Sequence, residues 1–332
     1  MDKVTFRRRT LFGATALTAL AAPMILRPVK ARAQENAKPM SEPQTTPAGH
    51  ANSIKLGDFT ITVISDGLRV SDSPNETFGI DQSKEAVAAL LEQNFLPADK
   101  FANGFSPVVV DTGSAVLLFD TGFGEAGRAS GNGQLIKGLA EAGYSPDDIT
   151  HVVLTHMHGD HIGGLIEGGK PAFPKAAIVA GEVEYAFWTD PARAGTPAEG
   201  NQKAVMASVV PLKDKISFIK GGAEVVPGIT AMEAFGHSPG HMVFRVSSAG
   251  KDLMLTADTA NHYVLSLQKP DWQVRFDMDK AQATATRRKV FDMIAAERLP
   301  FIGYHMPYPS LGFVEKQGEG YRFIPASYQF YL

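Results

Sequence analysis

The 332-residue sequence contains no cysteine. Disulfide bonds, thiolate metal ligands and a cysteine nucleophile are therefore excluded, and stability must come from core packing and from any bound metal. Beyond residue 50 the sequence also lacks internal repeats, low-complexity tracts and a linker rich in Pro or Gly. These absences favour a single large domain in the mature chain.

Positive charge is scarce outside the N-terminal segment. Residues 1–33 contain seven Lys/Arg and one Asp, so the 299 residues from Gln34 onward carry a net charge of about −9, against −3 for the whole chain. An acidic protein is a poor partner for nucleic acid and for anionic membranes. We therefore expect neither as a partner.

A long hydrophobic run is missing as well. The apolar stretch over residues 11–26 is too short for a membrane span and contains Pro23. A basic stretch precedes it, and Ala31-Arg32-Ala33 has the small-residue pattern of a signal cleavage site. The Arg8-Arg9 pair favours the twin-arginine route, with an ordinary Sec signal as the alternative.

These features predict three segments. Residues 1–33 are expected to form a signal peptide, residues 34–53 a flexible leader, and residues 54–332 the folded domain. The mature protein is expected in the periplasm or secreted, without membrane contact after signal cleavage.

Hydrophobic spacing predicts alternating strands and helices. The nearly continuous apolar runs within residues 107–122 indicate a pair of strands buried on both faces. Apolar residues three or four positions apart indicate helices at 83–95, 134–143 and 279–299. Together these elements predict an α/β fold with mixed sheets and helices outside them.

The segment THMHGDH, residues 155–161, holds three of the nine histidines. A buried strand is expected to end at Thr155, so His156 and His158 can point to the same side of an extended backbone. Gly159 permits a change of direction, and Asp160 has the composition of a helix N-cap. One short loop can thus direct these side chains toward two adjacent metal ions.

Three later segments offer further ligands. His241 follows a Pro-Gly turn, whereas Asp258 and His305 each follow an apolar run. Strand ends can gather such side chains at one sheet edge. Imidazole and carboxylate groups suit zinc above all, and also manganese, iron or cobalt.

The order of these motifs, H-x-H-x-D-H followed by S-P-G-H, T-A-D-T and Y-H, resembles the metallo-β-lactamase superfamily. The resemblance implies an αββα sandwich of two mixed sheets with helices outside and a dinuclear metal site. It also implies that one metal is held by His156, His158 and His241, the other by Asp160, His161 and His305, and that Asp258 bridges them.

A further aspartate, Asp120 in LLFDTG, matches a superfamily position whose carboxylate supports the metal-binding loop. A plain turn-forming residue is the alternative. The two ligands Asp160 and Asp258 are expected to take part in catalysis.

Four segments resemble the methyl parathion hydrolase branch of this superfamily, whose relatives include lactonases and aryl esterases. These segments are residues 56–67, 172–188, 224–241 and 319–328. This similarity implies an exported hydrolase that attacks lactone or aryl-ester carbonyls with a hydroxide shared by two divalent metal ions. Organophosphate triester hydrolysis is a further implied activity, although Asn201-Gln202 replaces aromatic residues of that branch and disfavours it. A homodimer is an arrangement that the resemblance allows.

The substrate-pocket candidates are Phe105, Trp188, His237, Asn261 and Tyr263. Aromatic residues at helical spacing, such as Trp188, are as well explained by core packing. His237 either touches the substrate or orients its loop. Two alternatives to a lactone or ester hydrolase stay open: a β-lactamase, and a metal-binding member of the fold without catalysis. The complete implied ligand set argues against the second.

Overall fold

The computed structural model describes residues 49–331. The expected signal peptide and most of the expected leader lie outside this range. The strands of the described part are β1 Ala51–Leu56, β2 Phe59–Ile64, β3 Gly67–Asp72, β4 Lys100–Phe105, β5 Val108–Asp111, β6 Val116–Phe119, β7 His151–Leu154, β8 Ile166–Glu167, β9 Lys170–Pro171, β10 Ala177–Gly181, β11 Ile216–Ile219, β12 Glu224–Val226, β13 Ile229–Glu233, β14 Met242–Ser248, β15 Lys251–Ala257, β16 Phe301–Gly303, β17 Leu311–Gln317 and β18 Gly320–Pro325. The α-helices are α1 Lys84–Gln93, α2 Leu135–Glu141, α3 Gly159–Ile162, α4 Glu182–Thr189, α5 Glu199–Ser208, α6 Leu265–Gln268 and α7 Lys280–Glu297.

Two seven-stranded mixed sheets form the centre of the fold. The first has the order β1-β2-β5-β6-β7-β10-β11, and the second has the order β12-β13-β14-β15-β16-β17-β18. Parallel neighbours are β6 with β7, β7 with β10, β10 with β11, and β15 with β16. A separate two-stranded ribbon, β3–β4, lies outside both sheets.

Three apolar layers hold the sheets and helices together. Val108 and Val110 belong to the core between the two sheets, whereas Val109 packs with the helices on the outer face of the first sheet. Phe119 meets Phe244 of the second sheet edge-to-face at 5.0 Å. Both faces of the β5–β6 pair are therefore buried, which explains its continuous apolar sequence. The predicted αββα arrangement is confirmed.

The longest helix, α7, covers the outer face of the second sheet. Asp279 caps its first turn by accepting a hydrogen bond from the backbone N–H of Gln282, and Arg298 ends it in the left-handed region at φ 53°. Phe291 and Ile294 of α7 are buried against Phe301 of β16. None of the helices in residues 49–331 is both long enough and apolar enough to cross a membrane.

Two predicted boundaries were wrong. The domain does not begin at residue 54, because β1 already pairs with β2 from Ala51, opposite Ile64. Immediately before it, the ring of His50 pairs with Glu141. The short helix α3 begins at Gly159 with His158 in the capping position, so Asp160 lies within its first turn rather than at the N-cap.

Candidate metal centre

The ends of four parallel strands supply side chains to one edge of the sandwich. Asp120 follows β6 and His156 follows the end of β7, its parallel neighbour in the first sheet. Asp258 follows β15 and His305 follows the end of β16, the parallel pair of the second sheet. Because parallel strands end on the same side, each sheet delivers its polar side chains to a common edge.

Three groups of ligand atoms converge there, each with its atoms within 4.8 Å of one another. These groups are His156, His158 and His237; His156, His161 and Asp258; and Asp160, His161 and His305. In the first group, His158 Nδ1 lies 3.0 Å from both His156 Nε2 and His237 Nε2.

Asp258 lies between the two ends of this cluster. Its Oδ2 is 3.3 Å from His237 Nε2 and 3.0 Å from His305 Nε2, and its Oδ1 is 3.3 Å from His161 Nε2. Asp160 Oδ2 lies 3.6 Å from His161 Nε2. The carboxylate of Asp258 therefore occupies the position expected of a bridging ligand.

His241, the third ligand predicted for the first metal, is not part of these three groups. Its Nδ1 donates to the carbonyl of Ala234 at 3.0 Å, and its Nε2 accepts from the backbone N–H of Asp258 at 3.1 Å. Both ring nitrogens of His241 therefore contact backbone groups in this structure, and the Nδ1 contact is one that orients an imidazole. His237, which the sequence placed in the substrate pocket, takes this place in the cluster.

The cluster fits divalent cations. His161 Nε2 and Asp258 Oδ1 are buried, lie 3.3 Å apart and have no hydrogen-bond partner within the described residues. Buried polar atoms are normally satisfied, and orphaned ones are costly. Unsatisfied imidazole and carboxylate atoms that face one another form the donor set that zinc prefers in the absence of sulfur.

The electrostatics favour the metal-binding forms of several groups. Burial, reinforced by neighbouring histidines, lowers the pKa of His156 and His158 well below the usual range, so their rings are neutral. Burial opposes ionisation of Asp258, but His305, His161 and His237 outweigh it and lower its pKa well below the usual value. Neutral imidazoles and an ionised carboxylate are the forms that coordinate metals.

Asp120 supports the cluster from beneath. Its Oδ2 accepts from His161 Nδ1 at 2.8 Å and from the hydroxyl of Thr155 at 2.7 Å, and its Oδ1 accepts from the backbone N–H of Thr155 at 2.9 Å. A carboxylate on Nδ1 directs the other ring nitrogen of His161 into the cluster. This geometry agrees with the expected supporting role rather than with a simple turn.

A second carboxylate supports His237. Asp277 Oδ1 lies 3.0 Å from His237 Nδ1, and its Oδ2 accepts from Arg287 at 2.7 Å. Arg287 is fully buried and also donates to the carbonyls of Thr259 and Pro270. The guanidinium of Arg287 therefore links the backbone at Thr259, directly after Asp258, to Asp277, the carboxylate that contacts His237.

A cavity of about 490 Å³ opens over the cluster. One wall is the β3–β4 ribbon, in which Phe101, Asn103 and Phe105 alternate with outward residues and lie on one face. Their cross-strand partners Ser71 and Arg69 lie opposite Phe101 and Asn103. Other lining residues include Phe123, Asn201, Arg275 and Phe276.

The pocket predictions were partly right. Phe105 lines the cavity and meets the ring of His305 edge-to-face at 5.3 Å. Trp188 does not line it: the ring is buried and donates to Glu184. Tyr263 also lies outside it, packed near Phe323. Asn261 is buried behind the centre, where its amide donates to Asp258 Oδ2 at 2.9 Å.

The expectation that Asn201-Gln202 disfavours organophosphates concerns one position of the pocket and stays a prediction. Four phenylalanine rings line the cavity, those of Phe101, Phe105, Phe123 and Phe276. They come from β4 and from loops, away from the α5 position at Asn201-Gln202 on which the expectation rested. Gln202 instead donates to the carbonyl of Asp190.

Sequence reasoning missed Glu184, Asp277 and Arg287. None belongs to a dense motif, and each acquires its partners only through tertiary contacts. The acidic or basic residue of a helix or loop is usually solvated. Only their burial in the structure distinguishes them.

Comparison with known proteins gives a consistent result. The sequence model of the metallo-beta-lactamase superfamily matches residues 106–300. An N-acyl homoserine lactonase of Bacillus cereus is 28% identical over 193 residues, which cover 55% of this chain and 70% of that protein. A second N-acyl homoserine lactonase, from Bacillus thuringiensis, is 31% identical over 165 residues, which cover 46% of this chain and 59% of that protein.

Solved structures with the same fold extend over more of the chain. The structure of AidC, a dizinc quorum-quenching lactonase in complex with a product, has a TM-score of 0.77 and 28% identity, covering 84% of this chain and 98% of that one. The hydrolase AbOPH of the beta-lactamase superfamily also has a TM-score of 0.77, at 24% identity, covering 85% of this chain and 99% of that one. At that identity the second match supports the fold alone.

Proposed function

Because the chain belongs to the metallo-β-lactamase superfamily, we propose that it is a metal-dependent hydrolase of lactones that uses two divalent ions, with zinc as the expected metal, and acts after export to the periplasm or beyond. The observation that carries the proposal is the convergence of His156, His158, His237, Asp258 and the Asp160–His161–His305 group at the floor of the cavity. The lactonase relatives support the choice of substrate class.

In this proposal one ion would be held by His156, His158 and His237. The other ion would be held by Asp160, His161 and His305, and Asp258 would bind both ions. When bound, the ions would supply Lewis acidity to a substrate carbonyl and acidify a water molecule. The protein orients the ligands: Asp120 holds His161, and Asp277 holds His237. Phe105 packs against His305 and keeps water from that side of the centre.

The test is a comparison of substrates with the metal-loaded protein. We expect the highest kcat/KM for dihydrocoumarin or an acyl homoserine lactone, lower values for phenyl acetate and methyl paraoxon, and the lowest for nitrocefin. Asp258→Ala should lose hydrolysis of every substrate, because it removes the group shared by both halves of the cluster. Preference for nitrocefin would instead indicate a β-lactamase, and bound metal without turnover a non-catalytic protein.

Aryl esters and aryl phosphotriesters are the second candidate class. The four phenylalanine rings of the cavity favour them, since aromatic rings pack well against aromatic substrates. A kcat/KM for methyl paraoxon above that of both lactones would place this class first.

A further inference from the structure

Met157 lies between two residues of the first ligand group, His156 and His158. Its N–H donates to Glu184 Oε1 at 2.9 Å, and its carbonyl accepts from the amide of Asn201 at 2.7 Å. Glu184 belongs to α4 and Asn201 to α5. Two helices therefore hold the two successive peptide groups, His156–Met157 and Met157–His158, that set the relative direction of the two rings.

Glu184 also reaches the turn that carries the third residue, His237. Its Oε2 accepts from the hydroxyl of Ser238 at 2.8 Å and from the backbone N–H of Gly240 at 2.7 Å. Its Oε1 additionally accepts from Trp188 at 2.7 Å. With 1% of its surface exposed and four donors, this carboxylate has its hydrogen-bonding capacity filled by protein groups.

The close packing at Gly240 shows how tightly the turn is held. A Cβ added to Gly240 would lie 2.2 Å from the backbone nitrogen of Glu184, which no real contact allows. Only glycine lets the turn approach α4 closely enough for the two hydrogen bonds from Ser238 and Gly240. The Glu184 carboxylate therefore links the backbone at Met157 to the turn that follows His237, while Asp277 holds the ring of His237 itself.

We propose that Glu184 is a positioning residue for the first ligand group, and that Asn201 assists it by holding the next peptide group, Met157–His158. Glu184 touches none of the ligand rings; it acts through the backbone on either side of them. The inference rests on the proposed function, because it concerns the same centre. It also assigns to Asn201 a structural reason for replacing an aromatic residue.

The test uses cobalt as the probe and Glu184→Gln as the perturbation. Glutamine keeps the shape but replaces an acceptor oxygen with an NH₂ group that faces donors. We expect the cobalt affinity, measured by competition with a chelator, to fall about 10- to 100-fold, as is typical when a group supporting metal ligands is lost. The visible absorption of the cobalt protein should change, and kcat should fall more than KM rises.

Glu182→Gln is the matched control. Glu182 begins the same helix, is exposed, and pairs with Lys220 at the surface. This variant should keep the cobalt affinity, the spectrum and the kinetics of the unmodified protein. A Glu184→Gln protein that does the same would overturn the proposal.

A second variant covers the case in which Glu184→Gln does not fold. Asn201→Asp has nearly the same shape but, when ionised, cannot donate to the Met157 carbonyl. We expect the cobalt spectrum to change in the same direction as in Glu184→Gln, but by less. An unchanged spectrum together with an unchanged cobalt affinity would refute the role of the hydrogen bonds to the Met157 backbone. If the unmodified protein hydrolyses no ester while these cobalt effects appear, the proposed function fails and the positioning role stands.

Discussion

Two adjacent arginines of α7 allow a direct test of how the centre is supported. Arg287 and its partner Asp277 are each 1% exposed as side chains, and the two lie 2.7 Å apart. Arg288 pairs with Asp271 at the surface, with side-chain exposures of 37% and 58%. Methionine has nearly the same helix propensity as arginine and a similar length, so Arg287→Met and Arg288→Met differ mainly in the ion pair that each removes.

The expected magnitudes are far apart. Arg287→Met leaves the Asp277 carboxylate buried without its cation, which should lower the free energy of unfolding by about 3–5 kcal/mol. Arg288→Met removes an exposed pair and should cost less than about 1 kcal/mol. Arg287→Met should also weaken metal binding, because Asp277 holds His237.

Urea unfolding at one fixed free zinc concentration, monitored by tryptophan fluorescence, measures the free energy of unfolding. A separate metal titration of each variant measures the metal affinity. The double variant Arg287→Met/Asp277→Asn should recover part of the lost stability, since it no longer buries an unpaired charge. Equal losses for the two arginine variants would refute the assignment of Arg287 as a buried support.

Three further predictions concern the cluster and its surroundings. His237→Ala should halve the zinc content measured by elemental analysis. His241→Gln should keep both ions and lower the free energy of unfolding by only about 1–3 kcal/mol, because backbone groups at Ala234 and Asp258 lose their hydrogen-bond partner. The reverse pattern would identify His241 as the ligand. Burial raises the pKa of Asp66 to about 6, against the effect of its backbone N–H donors, so the folded state binds this proton more readily than the unfolded state does. The stability advantage of the unmodified protein over Asp66→Asn should thus decline by about 2 kcal/mol as the pH rises from 4 to 6, in urea unfolding at each pH, and a constant difference would contradict it. Removal of metal with a chelator should lower the unfolding free energy by about 2.7 kcal/mol for each bound ion, relative to protein in zinc at 100 times Kd, and an unchanged thermal midpoint would argue against a folded-state metal site.

The fold and most of the cluster could be predicted because their signals are local. Apolar runs identified the strands, and a ligand directly after such a run, as with Asp258 and His305, lies at a sheet edge for geometric reasons. The density of histidines in THMHGDH was a further local signal.

The remaining residues depend on geometry that spacing does not contain. His237 and His241 flank the same Ser-Pro-Gly turn, and only the turn's conformation decides which ring faces the cluster and which faces the backbone at Ala234. Trp188 and Tyr263 are apolar surfaces that the core uses as readily as a pocket would. The aromatic wall could not be predicted because its four rings come from three separate segments of the sequence.

The β3–β4 ribbon contributes chiefly to the wall of the cavity. It provides Phe101, Asn103 and Phe105, with Arg69 and Ser71 opposite, to the cavity wall, but it contributes no residue to the three ligand groups. It also belongs to neither central sheet. Phe105 and the carbonyl of Gly104 contact His305. Substitutions at the other positions of this wall can therefore change which compounds are accepted with little effect on the ligands, and these positions are the first target for a mutagenesis library.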